Sequence, residues 1–318
     1  MPTLSAAPVS VCVASPSLDA CRERLGSLSF IRGSHLTTAD ARFGGFSSAV
    51  PLTENLAAVS DLGWWAIFPM RPTESGANVS LGSLHSLAGE PIGLDPGALS
   101  KEWADAEGLA QDDSGNFLVS FERQHRVWRY SSLDALATDL NVSRYLTRCA
   151  GDGSSSNSRV EALELLNATH YLAICEAPAA GGAPGFSPAF VFSTAGGEPA
   201  ELRYELHDEL APVDLARLPA DGTRDALLLV LERSYIAGYG NRIRVRRLMP
   251  HDVGAAAAAG GGALSGGLLA ELTPDLHAVD NFEGLVLAPS RSNRADAGER
   301  CSPPNSRSPH EEAPAPAG

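Results

Sequence analysis

Short apolar runs that each end in an acidic residue recur along the chain. Residues 117–121 are apolar or small and are followed by Glu122, and residues 171–175 have the same character and are followed by Glu176. Runs of about five residues without helical periodicity are typical of strands that are buried on both faces. The pattern therefore predicts buried strands with a carboxylate at one end, where the carboxylate is paired or ligates a cation.

These strands belong to a longer repeat. A second acid precedes each run by fifteen positions, Glu107 in one unit and Glu161 in the next, and the two units lie 54 positions apart. Weaker copies end at Asp61 and Glu232, and a final copy opens at Glu283 and stops early. The period is close to that of known propeller blades, about 40–50 residues. We expect an all-β, β-propeller-like fold with five or six blades, the last one incomplete.

Equivalent positions of successive blades converge in a propeller, so the repeated acids predict one acidic site. Like charges in one place need a compensating cation, which is either a bound metal such as Ca²⁺ or an arginine of the same motif. Arg123 and Arg233 directly follow two of the strand-end acids. Both interpretations stay open at this stage. The expected metal ligands are Asp61, Glu107, Glu161, Glu176, Glu232, Asp280 and Glu283.

The densest group of chemically active side chains lies at residues 121–130. Glu122, Arg123, His125 and Arg126 are the candidate catalytic residues, since a histidine can act as a general acid and arginines can bind an oxyanion. Arg123, Arg126 and Arg233 are the candidate substrate-binding residues. No serine-nucleophile elbow, P-loop or paired CxxC motif is present in the sequence.

Charge and composition limit the classes of molecule that the chain is expected to bind. The chain has 38 acidic and 24 basic residues, a formal net charge of −14, which argues against nucleic acid and anionic membranes. No apolar run approaches a membrane span of about 18 residues. We expect a monomer that binds a small phosphate or ester substrate. The five cysteines are too few and too scattered to predict a disulfide framework.

Several motifs, taken in order, resemble the phytase-like domain family, whose bacterial members are labelled "esterase-like activity of phytase". The resemblance runs from about residue 25 to residue 287. It rests on R-F-G-G-F-S at 42–47, D-A-E-G-L-A at 105–110, S-F-E-R-Q-H-R at 120–126 and D-N-F-E-G-L at 280–285.

The resemblance implies a propeller whose carboxylates hold Ca²⁺ and assist hydrolysis of phosphoester or carboxyl ester bonds. The alternative is a non-catalytic propeller scaffold that binds a ligand or a protein partner and whose acids pair with arginines. We expect a poorly ordered extension over residues 1–24, the propeller domain over 25–288 and a disordered tail over 289–318, with the last blade truncated. No clear signal peptide is visible, and the compartment is left open, although the resemblance favours export.

Overall fold

The fold is built almost entirely from short strands. The computed structural model describes residues 2–10, 25–26, 28–72, 76–98, 100–149, 160–179, 181–208, 210–218, 220 and 225–287. Strands make up 48% of it, and the helices are two short ones, α1 (Ser143–Leu146) and α2 (Pro250–Ala258). The predicted all-β, propeller-like architecture is confirmed. No helix in the described ranges is long and apolar enough to cross a membrane.

The described strands form five small sheets. A three-stranded N-terminal sheet has the order β2-β1-β6, from β1 (Thr3–Val9), β2 (Gly33–Thr37) and β6 (Ala77–Asn78). Four antiparallel meanders follow, here called blades 1 to 4. Blade 1 contains β3 (Phe46–Pro51), β4 (Asn55–Ser60), β5 (Trp64–Pro69) and β7 (Ser80–Ser83). Blade 2 contains β8 (Ala106–Gln111), β9 (Phe117–Phe121), β10 (Arg126–Tyr130) and β11 (Thr138–Asp139).

The last two meanders are built in the same way. Blade 3 contains β12 (Val160–Asn167), β13 (His170–Cys175), β14 (Phe186–Ser193) and β15 (Ala200–Glu205), and β19 (Ala263–Leu264) adds to it in parallel with β15. Blade 4 contains β16 (Ala211–Leu218), β17 (Leu227–Ile236), β18 (Gly240–Leu248) and β20 (Gly267–Leu272).

Tight turns between neighbouring strands follow from the local sequence. Between β8 and β9, the Asp112 carboxylate accepts hydrogen bonds from the backbone amides of Ser114 and Asn116, each 2.9 Å long. Gly115 takes a φ of +85°, which residues with a side chain rarely adopt. This stretch of Asp, Ser, Gly and Asn therefore closes a hairpin, as its composition predicts.

The first strands of the blades lie next to one another, and the core fills the space between blades. β3 contacts β8, β8 contacts β12, and β12 contacts β16. β8 and β12 approach closely at Gly108, where an added Cβ would lie 2.5 Å from the Glu161 carbonyl oxygen. This close approach explains the glycine of the E-G-L motif.

The second E-G-L copy lies beside a different first strand. Gly284 faces the backbone of Ser48 in β3, and the amide of Leu285 donates a 2.6 Å hydrogen bond to the buried carboxylate of Asp214 in β16. Asp214 also accepts a 3.1 Å hydrogen bond from the Ser48 hydroxyl. Residues 280–287 therefore contact both blade 1 and blade 4, but they form no strand pair in the described part of the chain.

Two expectations about the chain need correction. Residues 1–24 are expected to form a poorly ordered extension, but within them β1 pairs with both β2 and β6, and Leu4 is fully buried against blade 1. Residues 11–24 lie outside the described residues. The apolar and polar residues of β1 alternate too weakly for the pattern to show a strand. In addition, Cys149 and Cys175 form a disulfide, since the fold places their Cα atoms 5.3 Å apart. Residues 1–287 form one compact unit, and the predicted tail, 289–318, lies outside the described residues.

Candidate functional site

The acids of the E-G-L-type motifs are placed by a recurring β-bulge. In the first strand of each blade, the pairing register with the second strand shifts near its start. The bulge contains Ser47 in blade 1, Glu107 in blade 2, Glu161 in blade 3 and Val213 in blade 4. A bulge leaves a residue out of the ladder and re-aims its side chain. Two of the four bulges thus carry a carboxylate at equivalent positions.

The strand-end acids are also equivalent to one another. The first-strand residue just before each bulge pairs with one residue of the second strand. These partners are Ser60 in blade 1, Phe121 in blade 2, Cys175 in blade 3 and Glu232 in blade 4. The residue that follows each partner is acidic in three blades and basic in the fourth. These residues are Asp61, Glu122, Glu176 and Arg233.

The fold gathers the carboxyl groups from different blades into one site. Oxygens of Asp105, Glu107 and Glu122 lie within 4.8 Å of one another, and so do oxygens of Glu122, Glu161 and Glu176. Glu122 belongs to both groups, so the two groups adjoin. Blades 2 and 3 supply these five acids.

Asp61 and Glu283 lie close enough to raise the pKa of the Glu107 carboxyl. We call the following seven groups the carboxyl cluster: Asp61, Asp105, Glu107, Glu122, Glu161, Glu176 and Glu283.

Three basic residues border the carboxyl cluster in the described part of the chain. The Lys101 ammonium bonds to the Asp61 carboxylate and lies 4.0 Å from that of Asp105. Arg123 Nε donates a 2.7 Å hydrogen bond to Asp105. Arg233 Nη1 donates a 2.7 Å hydrogen bond to Glu283 Oε1. Seven carboxyl groups therefore face three bases, and the cluster keeps an excess of acid.

This excess changes the protonation of the central acids. Burial and the neighbouring Asp105 raise the pKa of Glu107 to about 8. Burial and the charge of Glu107 raise the pKa of Glu122 to about 9. The pKa of Glu161 is raised well above its usual range by burial and by Glu176. Without a cation, Glu107 and Glu122 therefore keep protons at neutral pH.

Arg233 acts as an internal counter-ion on one side of the cluster. Burial opposes its charge, but the hydrogen bond to Glu283 and the nearby Glu161 and Glu176 raise its pKa overall. Arg233 in turn opposes the rise in the pKa of Glu176 that burial causes. The negative charge of the cluster is thus neutralised in two ways: by protonation of the acids of blade 2 and by Arg233 on the side of blade 4.

A comparison with protein-family models decides the family. The model named "Phytase-like: Esterase-like activity of phytase" matches residues 41–297, most of the chain. The chain belongs to this family. The description of the phytase-like family names an esterase-like activity. Among the curated proteins, none is a detectable relative of this phytase-like chain.

Several solved structures are distantly similar to the chain. YCF48 from Cyanidioschyzon merolae is 12% identical with a TM-score of 0.31, over 67% of this chain and 59% of that one. The computationally designed Ika8 protein is 11% identical with a TM-score of 0.28, over 64% and 58%. The COPII outer coat vertex on membranes is 10% identical with a TM-score of 0.32, over 78% and 74%. The phytase-like chain thus spans less than two thirds of the first two.

Glu232 was expected among the metal ligands, but the structure places it outside the carboxyl cluster. Its carboxylate is fully buried, accepts a 2.7 Å hydrogen bond from the Tyr204 hydroxyl and pairs with Arg246 Nε at 2.8 Å. The register explains the difference. Glu232 aligns with Phe121 rather than with Glu122, and a shift of one residue turns a strand side chain to the opposite face.

Asp280 also lies apart from the acids that gather. It is exposed, and its carboxylate caps the neighbouring backbone amide of Asn281 at 2.8 Å. The next acid of the same motif, Glu283, is the one that reaches the cluster, through Arg233.

The arginines of residues 121–130 have separate environments. Arg126 is buried, donates to the backbone carbonyls of Gln124 and Trp103, and lies 3.8 Å and 4.2 Å from the ring centroids of Phe121 and Trp128. These contacts engage it within blade 2, which differs from the expected role as an oxyanion ligand. Arg123 instead borders the cluster through Asp105.

His125 does not belong to either group of close carboxylates. It lines a separate cavity of about 460 Å³ together with Arg123 and Trp103. The structure therefore brings together Glu122 and Arg123 of the four candidate catalytic residues, while Arg126 and His125 line the neighbouring cavity.

Lys101, Asp105 and the arginines of β18 were not identified as candidate site residues from the sequence. Lys101 is the only lysine of the chain, and its rarity was the available signal. Asp105 was recognised only as part of a motif, although it is almost fully buried and contacts two bases. On β18, Arg242, Arg244 and Arg246 alternate, and this period of two places them on one face of blade 4.

Proposed function

We propose that this chain is a metal-assisted hydrolase of phosphoester or carboxyl ester bonds, and that its carboxyl cluster binds Ca²⁺. The observation that carries the proposal is the pair of adjoining carboxylate groups that share Glu122, with oxygens within 4.8 Å of one another. Such spacing allows several carboxylates to contact one ion or two neighbouring ions.

The chemistry of the donor set fits a hard cation. All the donors in the two groups are carboxylate oxygens, which Ca²⁺ prefers in sets of six to eight and in flexible geometry. The residues that would hold the ion are Glu107, Glu122, Glu161 and Glu176. A bound cation would polarise an ester or phosphoryl oxygen and lower the pKa of a bound water.

The residues around the acids supply the remaining functions. Arg123 and Arg233 are each held by a carboxylate, Asp105 and Glu283 respectively, so their guanidinium groups are fixed at two edges of the cluster. Fixed guanidinium groups suit the binding of a phosphate or carboxylate group.

Calorimetry of Ca²⁺ binding in two buffers of different ionisation enthalpy tests whether the carboxyl cluster binds the ion. Because a cation replaces protons in the cluster, we expect binding at pH 7 to release protons. Glu122→Gln should weaken binding by tenfold or more, and Glu90→Gln, an exposed control outside the cluster, should leave it unchanged. Absence of Ca²⁺ binding by the unaltered chain would refute the metal proposal.

Hydrolysis is tested with p-nitrophenyl phosphate and p-nitrophenyl acetate, with Ca²⁺ and with EDTA. We expect turnover of at least one substrate that requires Ca²⁺ and falls with Glu122→Gln. Ca²⁺ binding without any turnover of either substrate would refute the hydrolase proposal while leaving the metal site standing.

A non-catalytic scaffold is the second candidate, and one observation favours it. Arg233 occupies the position that carries an acid in the other three blades, and Lys101 pairs with Asp61. Internal bases thus already neutralise part of the cluster. On this interpretation, Glu122→Gln would change the melting temperature by the same amount with Ca²⁺ and with EDTA. Thermal melting under the two conditions measures this.

A further inference from the structure

A cavity of about 610 Å³ opens beside the carboxyl cluster at blade 4. Glu176 and Arg233 line it, so the cavity adjoins the cluster directly. Its size falls within the range of small-molecule sites, about 300–1,000 Å³. A ligand in this cavity would therefore contact the same side chains that border the proposed metal.

The cavity is lined by donors suited to an anion. Arg233 and Arg242 contribute two guanidinium groups, and Asn241 and Asn281 contribute two amides. Two carboxylates, Glu176 and Asp208, line the cavity as well, and Asp208 is paired with Arg244 at 2.6 Å. Arg233 donates through Nη1 to Asn281 Oδ1 and to Glu283, and Arg242 donates through Nη2 to Glu271 at 3.2 Å. Each guanidinium is thus oriented by one carboxylate and keeps further N–H groups for a ligand.

One wall of the cavity is apolar and belongs to the β17–β18 hairpin. Tyr235 is 72% exposed and Ile236 is 43% exposed, and both line the cavity. Large apolar side chains that stay exposed next to convergent polar groups mark a binding surface. Tyr239 lies on the same hairpin but outside the cavity, and its hydroxyl donates to Asp275.

We propose that this cavity binds the organic part and the phosphate of a small phosphomonoester, with Arg233 and Arg242 on the phosphate and Tyr235 against a flat or aliphatic group. This inference rests on the proposed function for its chemical step, but the binding itself does not depend on turnover. It assigns specificity to the β17–β18 hairpin and Arg242, neither of which belongs to the carboxyl cluster.

Calorimetric titration with phenyl phosphate tests the cavity, once with Ca²⁺ and once with EDTA. Tyr235→Glu adds a negative charge at an exposed position and should fold normally. We expect it to weaken phenyl phosphate binding about tenfold, the size of one charge-assisted interaction. Tyr239→Glu adds the same charge outside the cavity and should change binding less than about twofold. Equal weakening by both variants would overturn the proposal.

Arg242→Gln gives a second test, with Arg247→Gln as its matched control because Arg247 is exposed on the same strand and does not line the cavity. We expect Arg242→Gln to bind phenyl phosphate about tenfold more weakly and Arg247→Gln to bind it as the unaltered chain does. Melting curves check that both variants fold. Arg242→Lys should restore part of the affinity. Inorganic phosphate should bind more weakly than phenyl phosphate, and equal affinity would remove the role of Tyr235.

The outcomes separate the two proposals. Phenyl phosphate binding that is sensitive to Tyr235→Glu in EDTA supports the cavity even if Ca²⁺ does not bind. Ca²⁺ binding without measurable phenyl phosphate binding at millimolar concentration overturns the cavity and leaves the metal site.

Discussion

Replacing Glu122 by Gln should flatten the pH dependence of stability. In the folded chain without metal, burial and the charge of Glu107 raise the pKa of Glu122 from 4.5 to about 9. An unfolded chain releases that proton near pH 4.5, whereas the folded chain retains it. The contribution of this carboxyl to stability is therefore fully present below pH 4.5 and is lost as the pH rises toward 9.

The expected magnitude follows from the width of that window. Between pH 5.5 and 7.5, one retained proton lowers the free energy of unfolding by about 1.4 kcal/mol per pH unit, or roughly 3 kcal/mol in all. Glu122→Gln removes this titration while keeping the size of the side chain. The variant should thus gain about 3 kcal/mol relative to the unaltered chain over these two pH units.

Urea unfolding in EDTA at pH 5.5, 6.5 and 7.5 measures this difference, with Glu90→Gln as an exposed control. Added Ca²⁺ should reduce the gap at pH 7.5, because a cation stabilises the ionised carboxylate of the unaltered chain but has one ligand fewer in the variant. Parallel stability curves for Glu122→Gln and the unaltered chain would refute the argument that Glu122 keeps its proton.

Three further outcomes are expected from contacts outside the cluster. Glu232→Gln breaks a fully buried ion pair and should cost about 3–5 kcal/mol of stability while leaving Ca²⁺ titration unchanged; altered Ca²⁺ binding would place Glu232 in the site after all. Asp214→Ala removes the acceptor of the Leu285 amide and should speed hydrogen exchange there, and unchanged exchange would contradict this contact. Replacing Cys149 and Cys175 by Ser opens a cross-link of separation 26 and should cost about 3–4 kcal/mol in denaturant, whereas a cost below 1 kcal/mol would argue against the disulfide.

The sequence predicted the convergence of the acids because the repeat carries that information. Glu107 and Glu161 recur with a fixed spacing to Glu122 and Glu176, and equal spacing within repeats places equivalent side chains in equivalent bulges. The short apolar runs likewise predicted strands buried on both faces. Both inferences use local patterns that a regular repeat preserves.

The fourth blade shows where spacing alone fails. Counted from the start of the apolar run, Glu232 matches Glu122, but β17 is longer and its pairing with β16 sets a different register. The residue at the position of Glu122 is Arg233. Register depends on hydrogen bonds between strands, and one residue of slip exchanges the faces. The contacts of Arg126 could not be predicted from the sequence either, because its hydrogen bonds to the backbone carbonyls of Trp103 and Gln124 form only in the folded chain.

The register at Arg233 also links the site to the cavity. Had an acid stood there, the cluster would have continued into blade 4 and repelled an anionic ligand from that side. Arg233 instead pairs with Glu283, faces Glu161 and Glu176, and lines the cavity with Arg242. A cation held by the acids of blades 2 and 3 and an anion held by the arginines of blade 4 would then lie on adjoining sides of one site. That is the arrangement a metal-assisted phosphoesterase requires, since the metal and the guanidinium groups must contact the same phosphoryl group.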